Sequence, residues 1–131
     1  MEIEIIQPST VHPTAAYAYS HAVRVGDLVF VAGQVAQDAA GEIVGVGDVR
    51  AQTEQVFENL RLVLEAAGSG LDRVAKVTVF TTSLEYRPVI HEVRSRIFGE
   101  VGHLPASTLA VVTSLANPDW LVEIEAVAAA E

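Results

Sequence analysis

The stretch WLVEIEAVA, residues 120–128, sets two glutamates one residue apart in an otherwise apolar run. Side chains alternate along a strand, so Leu121, Glu123, Glu125 and Val127 share one face. Val122, Ile124, Ala126 and Ala128 take the other. Charged residues are mostly exposed, and a solvated strand face accounts for such a pair. A carboxylate in a dry interface, its pKa raised, could instead orient or deprotonate a water. A second candidate is Gly33, which interrupts the strand-like VFVAGQVAQ at 29–37. A glycine there marks a strand end, a bulge or a close backbone approach to a ligand. Tyr17 and Tyr19 lie in an early loop with His21 just beyond, as packed lids or as acids.

Other chemistries lack their spacing. The histidines at 12, 21, 91 and 103 show no close metal-ligand pattern, so no metal site is expected. Ser107 and Thr108 are not surrounded by G-x-S-x-G. GEIVGVGD is not followed by the Lys-Ser/Thr of a phosphate loop. Without cysteine, disulfides and thiolate catalysis are excluded.

The elements that must position these residues are legible. Ile3 and Ile5 suggest a short first strand, and SHAVRVGDLVFVAGQV reads as a hairpin turning at Gly26-Asp27. A glycine-bearing surface loop from Asp38 to Gly47 follows. Val49, Val56, Leu60, Val63, Leu64 and Ala67 fall at helical spacing, with Asp48 as N-cap and Gly68 as the stop. A strand spans about Arg73 to Thr81, and a second helix runs from Pro88 to Phe98 with Gly99 ending it. Final strands fall near Ser107–Thr113 and Leu121–Ala128. The order β-β-β-α-β-α-β-β predicts a single α+β domain over 1–131, two helices laid on one face of a mixed sheet. The other face, apolar in part, is expected to be hidden against further copies of the chain.

Composition narrows the partners. Seventeen acidic against 8 basic side chains give a net charge of −9 over 131 residues. Such a surface repels phosphate backbones and anionic lipid, so neither nucleic acid nor membrane is an expected partner. The start, MEIEIIQPS, is no secretory signal, and a cytoplasmic location is the expectation.

Several segments together resemble the Rid family, the reactive-intermediate deaminases also called YjgF-like proteins. The carriers are AYS at 18–20, VFVAGQV at 29–35, the long stretch 48–84, LPASTLAVV at 104–112 and LVEIEAVA at 121–128. The resemblance implies a chorismate-mutase-like fold, a homotrimer with clefts between subunits, and cofactor-independent hydrolysis of enamines and imines. It implies that Glu123 positions the attacking water, that Tyr19 closes the pocket and that the Gly33 backbone lines it. Ser107 and Thr108 would donate to the substrate, and His91 falls where the family often has asparagine near the cleft.

One departure stands out. The family's P-A-R reads Pro105-Ala106-Ser107 here, so the arginine that anchors the substrate carboxylate is missing. A serine offers one neutral donor where a guanidinium clamps bidentately, at a cost of about 1.5–3 kcal/mol per lost charge-assisted bond. Arg24, Arg94 and Arg96 are candidate replacements. Two functions therefore stay open: a divergent imine or enamine hydrolase, or a metabolite- or partner-binding trimer of the same fold.

Overall fold

The computed structural model describes all residues 1–131. Its sheet has six strands: β1 (Ile3–Ile6), β2 (Ala22–Val25), β3 (Leu28–Val35), β4 (Val74–Thr81), β5 (Ala106–Val111) and β6 (Val122–Ala129). Their order across the sheet is β1-β2-β3-β6-β4-β5. Only β4 and β5 run parallel; every other neighbouring pair is antiparallel. The last strand is thus inserted at the centre. Two helices complete the fold, α1 (Val49–Ala66) and α2 (Arg87–Val101).

Local chemistry explains the elements. Gly26 has φ +60 and closes the β2–β3 hairpin where Val25 meets Leu28. A glycine first in a two-residue loop matches the strand twist. Asp48 caps α1 by accepting from the Ala51 N–H at 3.1 Å. Gly68, at φ +79, ends it, and the Ser69 N–H returns to the Leu64 carbonyl at 2.9 Å.

The second helix corrects one expectation. It passes through Gly99 and stops at Gly102, which takes φ +71. Both are glycines, but only the second occupies the left-handed conformation that favours one.

The core lies between α1 and the sheet, built from Val56, Leu60, Val63 and Leu64 against Val29, Val77, Val79 and Ile124. Phe57 of α1 meets Phe98 of α2 edge to face, with centroids 5.6 Å apart. One core member is polar. Gln52 is fully buried, donating to the carbonyls of Gly45 and Asp119 and accepting from the Leu121 N–H, all within 3.0 Å. It thereby fixes the backbone two residues before Glu123. Gln52→Leu would remove the side-chain partner of three part-buried backbone groups, at about 1 kcal/mol apiece. We expect a loss of about 3 kcal/mol in urea denaturation.

Candidate active site

The alternation of β6 delivers Glu123. Val122 and Ile124 are fully buried on the side that α1 covers, so Glu123 emerges on the opposite, open face. It stands across from Val35 on β3 and Phe80 on β4. The β3–β6 register shifts between Val31 and Gln34, and Gly33 lies inside that irregularity. There the Glu123 side chain fills the space where a side chain at 33 would begin. A Cβ on Gly33 would stand 2.6 Å from Glu123 Cδ and 2.7 Å from Oε2. Gly33 is a seat for the carboxylate.

Burial raises the Glu123 carboxyl above the ordinary carboxylate range, and the nearby charge of Glu125 adds to the effect. Tyr19 feels the same site. Its phenol is pushed up by burial first, then by Glu123 and Tyr17. Tyr19 accordingly stays protonated at neutral pH, a hydrogen-bond donor beside a carboxylate.

The loop that carries Tyr19 is held from several directions. A 3-10 turn at Ala15–Tyr17 leads to Ala18, whose φ of 64 makes it the only non-glycine with positive φ. Thr14 Oγ1 donates to the Tyr19 carbonyl at 2.7 Å and accepts from Gln7 Nε2 at 2.9 Å. Gln7 Oε1 accepts the His21 N–H at 3.0 Å. The His21 ring is wedged between the His12 carbonyl, 2.5 Å from Nε2, and Gln34 Nε2, 3.2 Å from Nδ1. Since a carbonyl only accepts, Nε2 carries the proton and Nδ1 accepts from Gln34. His21 is therefore a structural brace. Thr14→Val should cost about 1 kcal/mol and raise hydrogen exchange chiefly within 13–21.

Tyr19 and Gly33 wall a hollow of about 380 Å³ with His12, Tyr17, Gln37 and Trp120. Trp120 and Asn117 are additions that sequence spacing did not mark. Asn117-Pro118-Asp119 signals a turn and says nothing of a pocket.

The remaining candidates lie elsewhere in the chain. Ser107 pairs in parallel with the fully buried Val77, so its side chain points to the helix side. There Arg94 of α2 donates to Ser107 Oγ at 2.8 Å. His91, exposed on α2, lines a second hollow with Arg94 and Ser107. Thr108 pairs with Thr78, which pairs with Glu125, and so sits on the open face. Within one chain, then, Tyr19, Gly33 and Glu123 come together, while Ser107 and His91 meet on the other side of the sheet. Arg24 is taken up by three carbonyls, and Arg96 turns to Glu54 and Glu100.

A family model described as endoribonuclease L-PSP matches residues 9–130. The chain belongs to this family, the YjgF/Rid family. Among its relatives, a RutC family protein of Pyrococcus abyssi is 45% identical over 111 residues, 84% of each chain. The 3-aminoacrylate deaminase RutC of Acinetobacter baylyi is 34% identical over 128 residues, 98% of each chain. A 2-iminobutanoate/2-iminopropanoate deaminase of Dermatophagoides farinae is 31% identical over 113 residues, 86% of each. Solved structures of the YjgF/Rid fold superpose closely. Yeast Mmf1 gives a TM-score of 0.92 at 28% identity, covering 99% of this chain and 100% of its own. The YjgF gene product of E. coli gives 0.90 at 28% identity, covering 98% and 99%. No helix of the chain is long and apolar enough to cross a membrane.

Proposed function

We propose that this chain hydrolyses an imine or enamine to the corresponding carbonyl compound and ammonia. The observation that carries the reading is the Glu123 carboxylate, desolvated and seated on Gly33 beside the protonated Tyr19. Two relatives bear the names of imine and aminoacrylate deaminases, which supports the same chemistry. Hydrolysis of a C=N bond needs a water and proton transfers, and neither changes an oxidation state. An enamine first takes a proton at carbon to become the imine. Glu123 then takes a proton from water as it adds to the imine carbon and passes it to nitrogen. The remaining hydroxyl proton follows by the same route as the carbonyl forms and ammonia leaves. Tyr19 donates a hydrogen bond to the substrate and closes the hollow.

The working unit in this reading is a homotrimer. Ile3, Ile5, Leu28 and Phe30 lie exposed on the open face that also carries Glu123, and apolar area of this kind is covered by association. A second copy then brings Ser107 and His91 to Glu123 and Tyr19, from which one chain keeps them apart. The net charge of −9 opposes RNA as the ligand despite the family description. The trimer works in the cytoplasm, away from membranes. With serine at 107, small 2-imino acids lose the usual guanidinium contact and turn over slowly.

Ammonia release from imines generated in situ by an amino-acid oxidase tests the reading. Wild type, Glu123→Gln and Ser107→Arg are compared, with association state read by sedimentation. Release by wild type, absent in Glu123→Gln and faster on small 2-imino acids in Ser107→Arg, is expected. An intact trimer inert in all three forms would leave a metabolite-binding role in its place.

A further inference from the structure

Four of the eight lysine and arginine side chains pair with acids. Arg50 pairs with Glu92, Arg61 with Glu58 and Glu65, Arg73 with Glu131, and Arg96 with Glu54 and Glu100. Arg24 gives its donors to carbonyls, and Lys76, Arg87 and Arg94 make no such pair, although acidic side chains outnumber basic ones by 17 to 8. Arg87 and Arg94 lie two turns apart on α2 with His91 between, at i, i+4 and i+7, and so share one helix face.

That face is hollowed. One depression of about 390 Å³ is lined by Leu84, Arg87, Pro88 and His91. Another of about 290 Å³ is lined by His91, Arg94 and Ser107 among others. His91 is common to both, so the two adjoin. Arg94 is half-buried and reaches across to the edge strand, where Nη1 donates to Ser107 Oγ. A guanidinium carries five N–H donors in a planar fork, and this contact uses one of them. The Ser107 oxygen accepts there and keeps its own proton to offer. Burial, followed by the like charge of Arg87, lowers the Arg94 pKa, so the cluster carries an uncompensated cost that an anion would offset.

We propose that this face of α2 is an anion subsite for a ligand with two carboxylates. Arg94 and Ser107 hold one carboxylate, Arg87 holds the other, and His91 stands between them. For its role in turnover this rests on the deaminase reading, in which the ligand is the imine of a 2-oxo dicarboxylic acid. Since Ser107 and Glu123 lie on opposite sides of one sheet, the subsite then serves the Glu123 carboxylate of a neighbouring copy.

Binding of unreactive 2-oxo acids tests the subsite without turnover. Pyruvate, with one carboxylate, and 2-oxoglutarate, with two, are titrated calorimetrically into the assembled wild type, Arg87→Gln, Arg94→Gln and Glu123→Gln. Expected is at least about tenfold tighter binding of 2-oxoglutarate, the worth of one charge-assisted contact. Arg87→Gln should bring the two acids to parity, and Arg94→Gln should weaken both by about tenfold or more. Glu123→Gln should keep the discrimination. Arg94→Lys, which keeps charge but not the fork, should fall between wild type and Arg94→Gln, and it decides the matter if Arg94→Gln misfolds. Equal affinity for the two acids in wild type, or full binding in folded Arg94 variants, overturns the proposal. Discrimination that persists in a protein releasing no ammonia upholds the subsite and removes the deaminase reading alone.

Discussion

Glu123→Gln should abolish ammonia release while leaving a folded protein that is slightly more stable at neutral pH. Glutamine keeps the shape and a hydrogen-bonding end but accepts no proton, so turnover should fall about 10²–10⁴-fold. The stability gain follows from linkage. The folded chain holds the Glu123 proton above the ordinary value of 4.5, because burial and Glu125 disfavour the charged form. As pH rises through the window from 4.5 upward, the unfolded chain releases its proton first, so ionisation favours unfolding. Wild-type stability therefore drops across that window relative to the glutamine variant and stays lower above it. Below the window both are neutral and the difference closes. Thermal midpoints of the two proteins from acid to neutral pH read this directly. A variant less stable than wild type at neutral pH would show that Glu123 has a stabilising partner, contrary to the site described.

Gly33→Ala should be nearly as damaging to activity by a different route. The new methyl would arrive 2.6 Å from Glu123 Cδ and 2.9 Å from Cγ, inside any tolerable contact. Gly33 is not among the glycines at positive φ, so alanine suits the backbone there. What yields is the far end of a flexible side chain, and the carboxylate swings off its seat. Folding is spared. A catalytic group displaced by about 1 Å loses on the order of 10²-fold in rate, which is the expected drop in kcat. The displaced carboxyl should also titrate closer to its ordinary value, a shift that carbon-detected NMR of a labelled Glu123 would follow. Undiminished kcat with an unmoved titration would show that the glycine is not the seat.

Much of this arrangement is written in local pattern. The faces of β6, the Gly26-Asp27 turn and the limits of α1 all follow from alternation, turn chemistry and capping. The end of α2 does not. Gly99 and Gly102 differ only in backbone conformation, and composition is blind to that. Gln52 and Asn59 are hidden for another reason. Both are buried on α1 because they satisfy the backbone of distant loops, whereas a periodicity count credits only apolar residues. Asn59, for instance, donates to the carbonyls of Val35 and Gln37. Arg94 meeting Ser107 depends on which side β5 turns toward α2, and that edge strand shows no alternation of burial to announce it. The alternation rule does still separate Ser107 from Thr108, and one chain presents them to opposite faces.

The double-sided character of β6 has a consequence for how this protein can change. Val122, Ile124, Ala126 and Ala128 are at most 4% exposed, while Glu123, Glu125 and Val127 face away from them. Packing and the proposed chemistry thus occupy interleaved positions of one strand. A library randomised at 123, 125 and 127 would vary the open face, and with it the contacts between copies, while leaving each subunit's interior untouched. One at 122, 124 and 126 would mostly yield proteins that fail to fold. Divergence toward new substrates can proceed along alternate positions of the central strand, with stability inherited from the positions between.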